Sequence, residues 1–450
     1  MDRRALLRAA GAALMVAGTG CRRMRGAAGT QPPSDSTRST LVSGVVEHSG
    51  AIEHAGRADA ASAPDPFARL DGFCDGIAPP DGAERAGHRE RLQRALYDGG
   101  HDALVIEPGA TLQYLSGVRW GLSERPFLMV LPRRGEPVWV VPAFEERTAR
   151  EQTGDTAIVV WQEHQSPYAQ LAAILTERGL ARRPVAVEPQ MRHFVVQGLR
   201  EVLGAGRVVD GAAWVQAQRM RKQPAELARL RRANEATKAA LRQVAAHAVR
   251  LGMRQSTLAQ QVRLAQQRAG LTDVWALVLF GPNAAFPHGT ADDRTLAEGD
   301  LVLVDTGGSL HGYRSDITRT WAPSSVSADV RRAWSVVAQA QRAALEQIRP
   351  GVPCGAIDAA ARAVIEQAGF GADYQRFTHR LGHGIGLEVH EHPYLVKDAV
   401  RVLEPGMTMS NEPGIYVPDR FGVRIEDIVA VTDDGHEIFG PLVEGLESAV

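Results

Sequence analysis

Between residues 66 and 215, short apolar runs alternate with longer stretches whose apolar positions recur every three or four residues. The short runs predict β-strands and the longer stretches predict helices. The predicted strands are DALVIEP, PFLMVLP, PVWVVPA, TAIVVW and PVAVE. The predicted helices are HRERLQRALYDGG, EERTAREQ, YAQLAAILTERG and FVVQGLREVLG. This alternation indicates an α/β layer, so we expect an α/β domain over 66–215.

The pattern changes at QAQRMRKQPAELARL, where we place a domain boundary. Pro224 suits the first turn of a helix and Glu226 suits its positive end, which predicts a long helix to about Leu251. Further helices are predicted at about 327–348 and 354–369. The strands between them follow one another in pairs, as antiparallel strands do. This order predicts an α+β domain over 216–450. These strands are VWALVLFG, DLVLVDTGG, GYRSDITRTW, MTMSNEPGIY and VRIEDIVAVT.

Residues 1–21 have the organisation of an export signal. Arg3, Arg4 and Arg8 precede an apolar stretch that is shorter than the roughly 20 residues needed to span a bilayer. The RRALLR segment resembles a twin-arginine signal, and GTGC resembles a lipoprotein box that would place a lipid anchor on Cys21. We expect export to the periplasm, or a membrane-anchored lipoprotein. The alternative is a cytosolic protein with a basic tail.

Residues 22–65 are rich in Ser, Thr, Ala, Gly and Pro and have few aliphatic residues, which predicts a disordered linker. The chain of 450 residues is long enough for two or three domains. Its net charge of −1 gives no reason to expect a nucleic-acid partner. Three cysteines cannot form a disulfide framework, and we expect no Cys74–Cys354 bridge.

Two acids in VLVDTGGSLHGYRSDITRTW lie in apolar segments, where burial of a charge is costly. Asp305 ends an apolar run, and Asp316 lies inside the next strand-like run. Burial of one carboxylate is costly, and two that converge repel each other. A bound cation would remove both problems, and the intervening glycines would let the acids share one sheet face. A salt-bridged turn is the alternative interpretation of this pair alone.

The segment HRLGHGIGLEVHEHPY holds His379, His383, His390 and His392. Its glycines make a helix unfavourable, and the acid of a zinc HExxH motif is absent, so we expect an irregular strand or loop. Four histidines so close together favour a functional site over isolated surface residues. A nucleotide-binding loop at GHGIG is disfavoured, since the dinucleotide-binding spacing is missing.

Two glutamates follow in the same pattern. Glu412 ends an apolar strand before Pro-Gly, and Glu426 is predicted inside a strand, where an ion pair with Arg424 is the alternative. Four carboxylates and one histidine suit Mn²⁺, Co²⁺, Fe²⁺ or Zn²⁺ better than copper. Their four charges balance two divalent ions. This set predicts a two-metal hydrolase whose ions lie about 3.5–4 Å apart and acidify a shared water.

Six motifs, in this order, resemble the pita-bread metallopeptidases: aminopeptidase P, prolidase and their non-peptidase relative creatinase. They are GPNAAFPHG, VLVDTGG, YRSDITRTW, HRLGHGIGLEVHEHP, LEPGMTMSNEPGIY and FGVRIED. The resemblance covers about residues 222–440, and YLSGVRW and ERPFLMVLPRRGEP resemble the family's N-terminal domain. It implies an α+β fold with a pita-bread catalytic domain over 216–450, preceded by an α/β creatinase-like domain over 66–215.

The resemblance also implies residue roles. The implied metal ligands are Asp305, Asp316, His383, Glu412 and Glu426. The implied catalytic residues are His288, His379, His390 and Glu412, with Glu412 as general base. The implied substrate-binding residues are His288, His379, His390, Tyr416 and Arg424. Creatinase-like enzymes lack the full ligand set, which disfavours that branch.

The resemblance therefore implies a metal-dependent peptidase that hydrolyses Xaa-Pro bonds in peptides with proline at the second position. We expect two divalent ions, with Mn²⁺ the first choice and Co²⁺, Zn²⁺ or Fe²⁺ as alternatives. Relatives of this kind form homodimers or larger homo-oligomers. The first alternative keeps fold and metals but acts on a small non-peptide, as a lyase or C–N hydrolase. The second is a non-catalytic exported binding module.

Overall fold

A computed structural model of the chain describes residues 65–154 and 156–448. The predicted signal peptide and all but the last residue of the predicted linker lie outside the described residues. Within the described ranges, no helix combines the length and the apolar character needed to cross a bilayer. Cys74 and Cys354 are buried free thiols, as expected.

The first half contains a six-stranded mixed sheet flanked by helices, which confirms the predicted α/β layer. The strand order is β4-β3-β2-β1-β5-β6, with β1 antiparallel to β2 and parallel to β5. The strands are β1 (Ala103–Ile106), β2 (Leu128–Pro132), β3 (Val138–Pro142), β4 (Ala157–Trp161), β5 (Val185–Val187) and β6 (Val208–Asp210). The helices are α1 (Gly82–Asp98), α2 (Ala110–Ser116), α3 (Glu146–Thr153), α4 (Pro167–Glu177), α5 (His193–Leu203) and α6 (Ala212–Met220).

Burial on both faces explains why the central strands are continuous apolar runs. Leu104 and Ile106 of β1 pack into one hydrophobic cluster, while Ala103 and Val105 pack into another on the opposite face. The first cluster continues into the second half of the chain, where Ile428 joins it. The sheet is therefore packed directly against the part of the fold that carries the acids and histidines.

The second half is α+β, as predicted. Its helices are α7 (Pro224–His247), α8 (Gln255–Arg268), α9 (Ala328–Leu345) and α10 (Cys354–Gln367). Its first strands are β7 (Thr272–Phe280), β8 (Val302–Leu310), β9 (Tyr313–Arg314) and β10 (Ile317–Trp321). The remaining strands are β11 (Gly382–Gly384), β12 (Glu391–Leu395), β13 (Thr408–Asn411), β14 (Gly414–Val417), β15 (Phe421–Arg424), β16 (Asp427–Val431) and β17 (His436–Ile438).

These strands form antiparallel sheets. Strand β8 lies between β10 and β7 and also pairs with β9, while a second sheet runs β12-β11-β13-β16-β17. Strands β14 and β15 form a separate hairpin. Helix α7 begins with the predicted Pro224 and a capping box between Gln223 and Glu226. It ends at His247, four residues before the predicted end, and Gly252 turns the chain with φ +83°.

Three helices were not predicted from the sequence: α2, α6 and α8. The predicted domain boundary between residues 215 and 216 lies inside α6 (Ala212–Met220). Alanine and glutamine dominate α6 and α8, so their apolar stripe is weak in the sequence. Non-helical residues 221–223 separate α6 from α7.

The prediction that Asp316 and Glu426 lie inside strands is wrong. Asp316 lies in the break at 315–316, between β9 and β10, and Glu426 lies in the break at 425–426, between β15 and β16. The apolar pattern continues through both breaks, so the sequence alone gives no sign that the strands are interrupted there. At the second break the chain passes from the β14–β15 hairpin to the five-stranded sheet, so the acid is placed where the two meet.

Candidate metal centre

A cavity of about 600 Å³ lies among the strands of the second half. Its lining residues are Trp275, Leu277, Pro287, His288, Asp305, Asp316, His379, Arg380, His383, Val389, His390, Glu412, Arg424 and Glu426. Nine of the ten site residues named from the sequence are among them. The tenth, Tyr416, is hydrogen-bonded to His379 and Arg424.

Asp316, His383 and Glu426 form the tightest group in this cavity. One ligand atom from each lies within 4.8 Å of the other two, and all three residues are buried. The Nε2 atom of His383 is 3.6 Å from Asp316 Oδ2 and 3.2 Å from Glu412 Oε1. These spacings leave room for a cation that all four side chains could reach.

The chain around His383 fixes the direction of its ring. The backbone N–H donates to Ser410 Oγ at 2.9 Å, and Nδ1 lies 3.1 Å from the Gly384 carbonyl. This contact assigns the proton to Nδ1 and leaves the Nε2 lone pair facing the carboxylates, the arrangement found in metal-binding histidines. A Cβ atom at Gly382 would lie 2.0 Å from Ser410 O, and one at Gly384 would lie 2.3 Å from His392 O. Both glycines are required for this close approach.

Arg424 binds Asp305 directly and is linked to Glu426 through the hydroxyl of Thr318. Arg424 Nη2 donates to Asp305 Oδ2 at 2.6 Å, and Arg424 Nε donates to Thr318 Oγ1 at 3.0 Å. Thr318 Oγ1 donates in turn to Glu426 Oε2 at 2.7 Å. The alternative ion pair between Glu426 and Arg424 is therefore not formed, since Arg424 binds Asp305 instead. Sequence reasoning missed Thr318, although it pairs with Asp305 across β8 and β10.

The carboxylates are poorly satisfied by the protein alone. Oδ1 of Asp305, Oδ1 of Asp316 and Oε1 of Glu426 are buried and have no hydrogen-bond partner in the described part of the chain. Burial first, and then the charges of the neighbouring acids, raise the pKa values of Asp316 and Glu426 well above the usual range. Divalent cations would satisfy these oxygens and neutralise the repulsion. The donor set therefore fits metal ions that prefer oxygen and imidazole ligands.

The predicted histidines occupy different positions around the cluster. His379 Nδ1 lies 2.8 Å from the Arg380 carbonyl, and its Nε2 lies 2.7 Å from the Tyr416 hydroxyl. Burial lowers the pKa of His379 to about 4, so its ring is neutral at pH 7. His390 is exposed, with its ring centre 4.1 Å from that of His383, and His288 is exposed on the cavity wall.

Buried charges attach the His390 segment to the first half of the chain. Glu391 accepts from Lys222 Nζ at 2.7 Å and also contacts Arg219 of α6 at 2.5 Å. Arg219 also donates to Glu388 at 2.7 Å. Both cations lie in or just after α6, so the first half of the chain helps to place His390.

Comparison with known proteins gives two matching family models. Residues 228–433 match the model of metallopeptidase family M24. Residues 88–221 match the model of the creatinase/prolidase N-terminal domain. The two matches lie side by side and cover most of the described chain.

Individual proteins match over nearly their whole length. The probable dipeptidase PepE of Mycobacterium tuberculosis is 41% identical over 347 residues, which is 76% of this chain and 90% of that protein. The Xaa-Pro dipeptidase of Lactobacillus helveticus is 32% identical over 357 residues, 78% of this chain and 95% of that protein.

Solved structures match in the same way. Dipeptidase PepE from Mycobacterium ulcerans has a TM-score of 0.76 at 36% identity, covering 83% of this chain and all of that one. The recombinant prolidase from Thermococcus sibiricus has a TM-score of 0.73 at 28% identity, covering 82% of this chain and 99% of that one.

Proposed function

This chain belongs to metallopeptidase family M24, and on that premise we propose that it is an Xaa-Pro dipeptidase. One observation carries the proposal: buried carboxylate oxygens without partners converge with His383 on a single cavity. Relatives named Xaa-Pro dipeptidase and prolidase support the choice of substrate. They do not favour a small non-peptide substrate.

We propose that two divalent ions occupy the centre, held by Asp305, Asp316, His383, Glu412 and Glu426, with Mn²⁺ as the first choice. When bound, such ions lower the pKa of water and so supply a nucleophile at neutral pH. Metal analysis of the purified protein tests both number and identity. Two equivalents of Mn²⁺ support the proposal, and one equivalent or another metal overturns that part of it.

The surrounding side chains have definable tasks. Glu412 contacts His383 and can accept a proton from the attacking water, as a general base must. His379 is neutral and its Nδ1 donates to the Arg380 carbonyl, so its Nε2 accepts the hydrogen bond of the Tyr416 hydroxyl. This fixed pair can help to orient a substrate carbonyl at the cavity wall. Arg424 donates to both Asp305 and Tyr416. It thereby fixes the proposed metal ligand Asp305 relative to Tyr416, a proposed substrate-binding residue.

The cavity wall also suits a proline residue. Trp275, Leu277 and Val389 supply apolar surface on which a pyrrolidine ring can pack and from which water is excluded. Proline lacks an N–H group, so an apolar wall leaves no donor of that residue unpaired. This complementarity supports recognition of proline after the scissile bond.

The test of the activity compares Ala-Pro with Ala-Pro-Ala on the metal-loaded protein, with products followed by mass spectrometry. Cleavage of Ala-Pro alone supports a dipeptidase. Cleavage of Ala-Pro-Ala at a similar rate overturns the dipeptidase proposal in favour of an aminopeptidase P-type enzyme. Failure to cleave either peptide with metal bound overturns the peptidase proposal.

Arg380 is expected to select dipeptides by binding their terminal carboxylate. It lines the cavity, its guanidinium lies 4.3 Å from the Tyr394 ring centre, and no described carboxylate pairs with it. Because charged hydrogen bonds contribute about 1.5–3 kcal/mol, Arg380→Gln should lower kcat/KM for Ala-Pro roughly 10–100-fold. The amidated substrate Ala-Pro-NH₂ is the control and should lose little. Equal losses on both substrates would show that Arg380 does not bind the carboxylate.

We propose that the protein is exported, by the twin-arginine route, and anchored through Cys21. The basic start and short apolar stretch of residues 1–21 support this. Cell fractionation of the Arg3→Lys/Arg4→Lys double variant tests the route: retention in the cytosol is expected, and unchanged export contradicts it. Labelling with a radioactive fatty acid tests Cys21, with Cys21→Ala as control.

We also propose a homodimer or larger homo-oligomer, which light scattering of the purified protein tests.

A further inference from the structure

A second cavity, of about 280 Å³, lies where helices α1 and α2 meet the turn between β8 and β9. Its wall includes Arg85, His88, Tyr114, Gly117 and Arg119. None of them lines the candidate metal centre. The cavity is therefore a separate place on the molecule, and the proposed function makes no use of it.

The charge of this cavity is positive. Arg85 and Arg119 line it, and none of the described residues in its wall carries a carboxylate. Burial lowers the pKa of His88 in the wall, so this ring adds no charge, and Glu226 lies behind it with Oε2 3.7 Å from His88 Nε2. The Arg119 guanidinium pairs with Asp273 at 4.0 Å, where both side chains are exposed, and Asp273 also lies 3.5 Å from Arg314. One carboxylate shared between two arginines leaves the rim with excess positive charge.

The charge of Arg85 is not compensated by any ion pair within the described part of the chain. Its side chain is half-buried, its Nε atom is buried without a hydrogen-bond partner, and it makes no ion pair with a described residue. A guanidinium group cannot lose its proton in a protein, and buried polar groups are normally paired. An arginine in this state points to an anionic partner from outside the chain.

The position of Arg85 is fixed by Gly117. A Cβ atom built on Gly117 would lie 2.5 Å from Arg85 Cζ, and Gly117 has φ +81°, which favours glycine. The guanidinium therefore packs closely against the bare backbone of Gly117. In the same cavity wall, the His88 and Tyr114 rings stack with centres 3.8 Å apart, and His88 Nδ1 donates to the Tyr114 carbonyl at 3.0 Å. Both rings are buried, so this part of the wall is held by packing.

We propose that this cavity binds a small oxyanion, a carboxylate or phosphate group, at Arg85 and Arg119, which both line it. The fork of N–H donors in each guanidinium matches two oxygens of such a group. The volume of about 280 Å³ limits the ligand to a small molecule. The stacked rings, the close packing of Arg85 on Gly117 and the unpartnered Nε of Arg85 are features of a preorganised binding site.

Isothermal titration of the full-length, metal-loaded protein tests the proposal, with inorganic phosphate and succinate as separate probes. We expect saturable binding of at least one probe, weakened at least about tenfold by Arg85→Gln because a charged hydrogen bond is lost. The matched control is Arg94→Gln, the same change at an exposed arginine of the same helix that does not line the cavity. Arg94→Gln should bind like the wild type.

Arg119→Gln, on the exposed rim, provides a second variant and should weaken binding severalfold. Thermal unfolding of each variant establishes that it is folded. Preference for phosphate supports a phosphorylated ligand, and preference for succinate supports a carboxylate ligand. Binding that is equal in Arg85→Gln and Arg94→Gln overturns the proposal, since any such site lies elsewhere, and so does failure of both probes to bind the wild type.

Discussion

The Asp316→Asn variant is expected to lose tight binding of divalent metal and at least roughly 10³-fold of its hydrolytic activity. Asp316 lies within reach of His383 and Glu426, and its Oδ1 is buried without a partner. An amide presents one neutral oxygen in place of a carboxylate, so the cation loses a charged ligand. Metal ions contribute several kcal/mol to transition-state stabilisation, and each 1.36 kcal/mol is a factor of ten in rate. Metal analysis and dipeptide hydrolysis on the same preparation provide the measurement.

The Asp316→Asn variant should be more stable than the wild type without metal and less stable than the wild type with metal. In the metal-free protein, Asp316→Asn removes one of several carboxylates that repel one another, so its unfolding midpoint should rise above that of metal-free wild type. Added metal should raise the midpoint of the wild type but not that of the variant. The control Asp329→Asn alters an exposed acid and should follow the wild type throughout. A variant that still gains stability from metal would contradict the assignment of Asp316 as a ligand.

Asp427→Asn is expected to cause the largest loss of stability, about 3–5 kcal/mol in the free energy of unfolding. Asp427 is fully buried and accepts from Arg319 Nη2 at 2.7 Å, Lys238 Nζ at 2.5 Å and Gln341 Nε2 at 3.0 Å. Burial favours its protonated form, but Arg319 and Lys238 outweigh burial and hold the pKa of Asp427 below its usual value. The amide would leave two buried cations without a counter-charge.

Urea unfolding of the metal-loaded proteins measures this effect. The matched control is again Asp329→Asn, which breaks an ion pair with Arg420 in which both side chains are 56% exposed. Exposed pairs contribute at most about 1 kcal/mol, so the control should lose little. Adding Lys238→Met to Asp427→Asn should recover part of the loss, since it removes one unpaired cation. Equal losses in the two single variants would show that the buried network does not stabilise the fold.

Much of the fold followed from apolar patterning. The runs around Ala103 and Leu128 are buried on both faces, so a strand was the natural interpretation. Helix α8 was not predicted because its buried face includes glutamines. One of them, Gln266, donates to Thr306 Oγ1 at 2.8 Å. A buried glutamine with a tertiary partner cannot be distinguished from a surface glutamine in a single sequence.

The candidate metal centre was harder to predict from the apolar pattern than the fold was. Asp305 and Asp316 raised the question of a cation, but only the family resemblance joined them to His383 and the two glutamates. Lys238 and Arg319 were not singled out because basic residues in a helix and a strand resemble solvent-facing positions. Both are buried, and their partner Asp427 directly follows the proposed ligand Glu426. Such long-range pairing is a property of the tertiary fold.

The most direct test of a metal-dependent dipeptidase is to titrate Mn²⁺ into metal-stripped protein and follow hydrolysis of Ala-Pro at each step. The account predicts no hydrolysis without metal, a rise that saturates at two equivalents, and no rise in Asp316→Asn. Hydrolysis that persists in the stripped protein, or a fully loaded protein that leaves Ala-Pro intact, would contradict it.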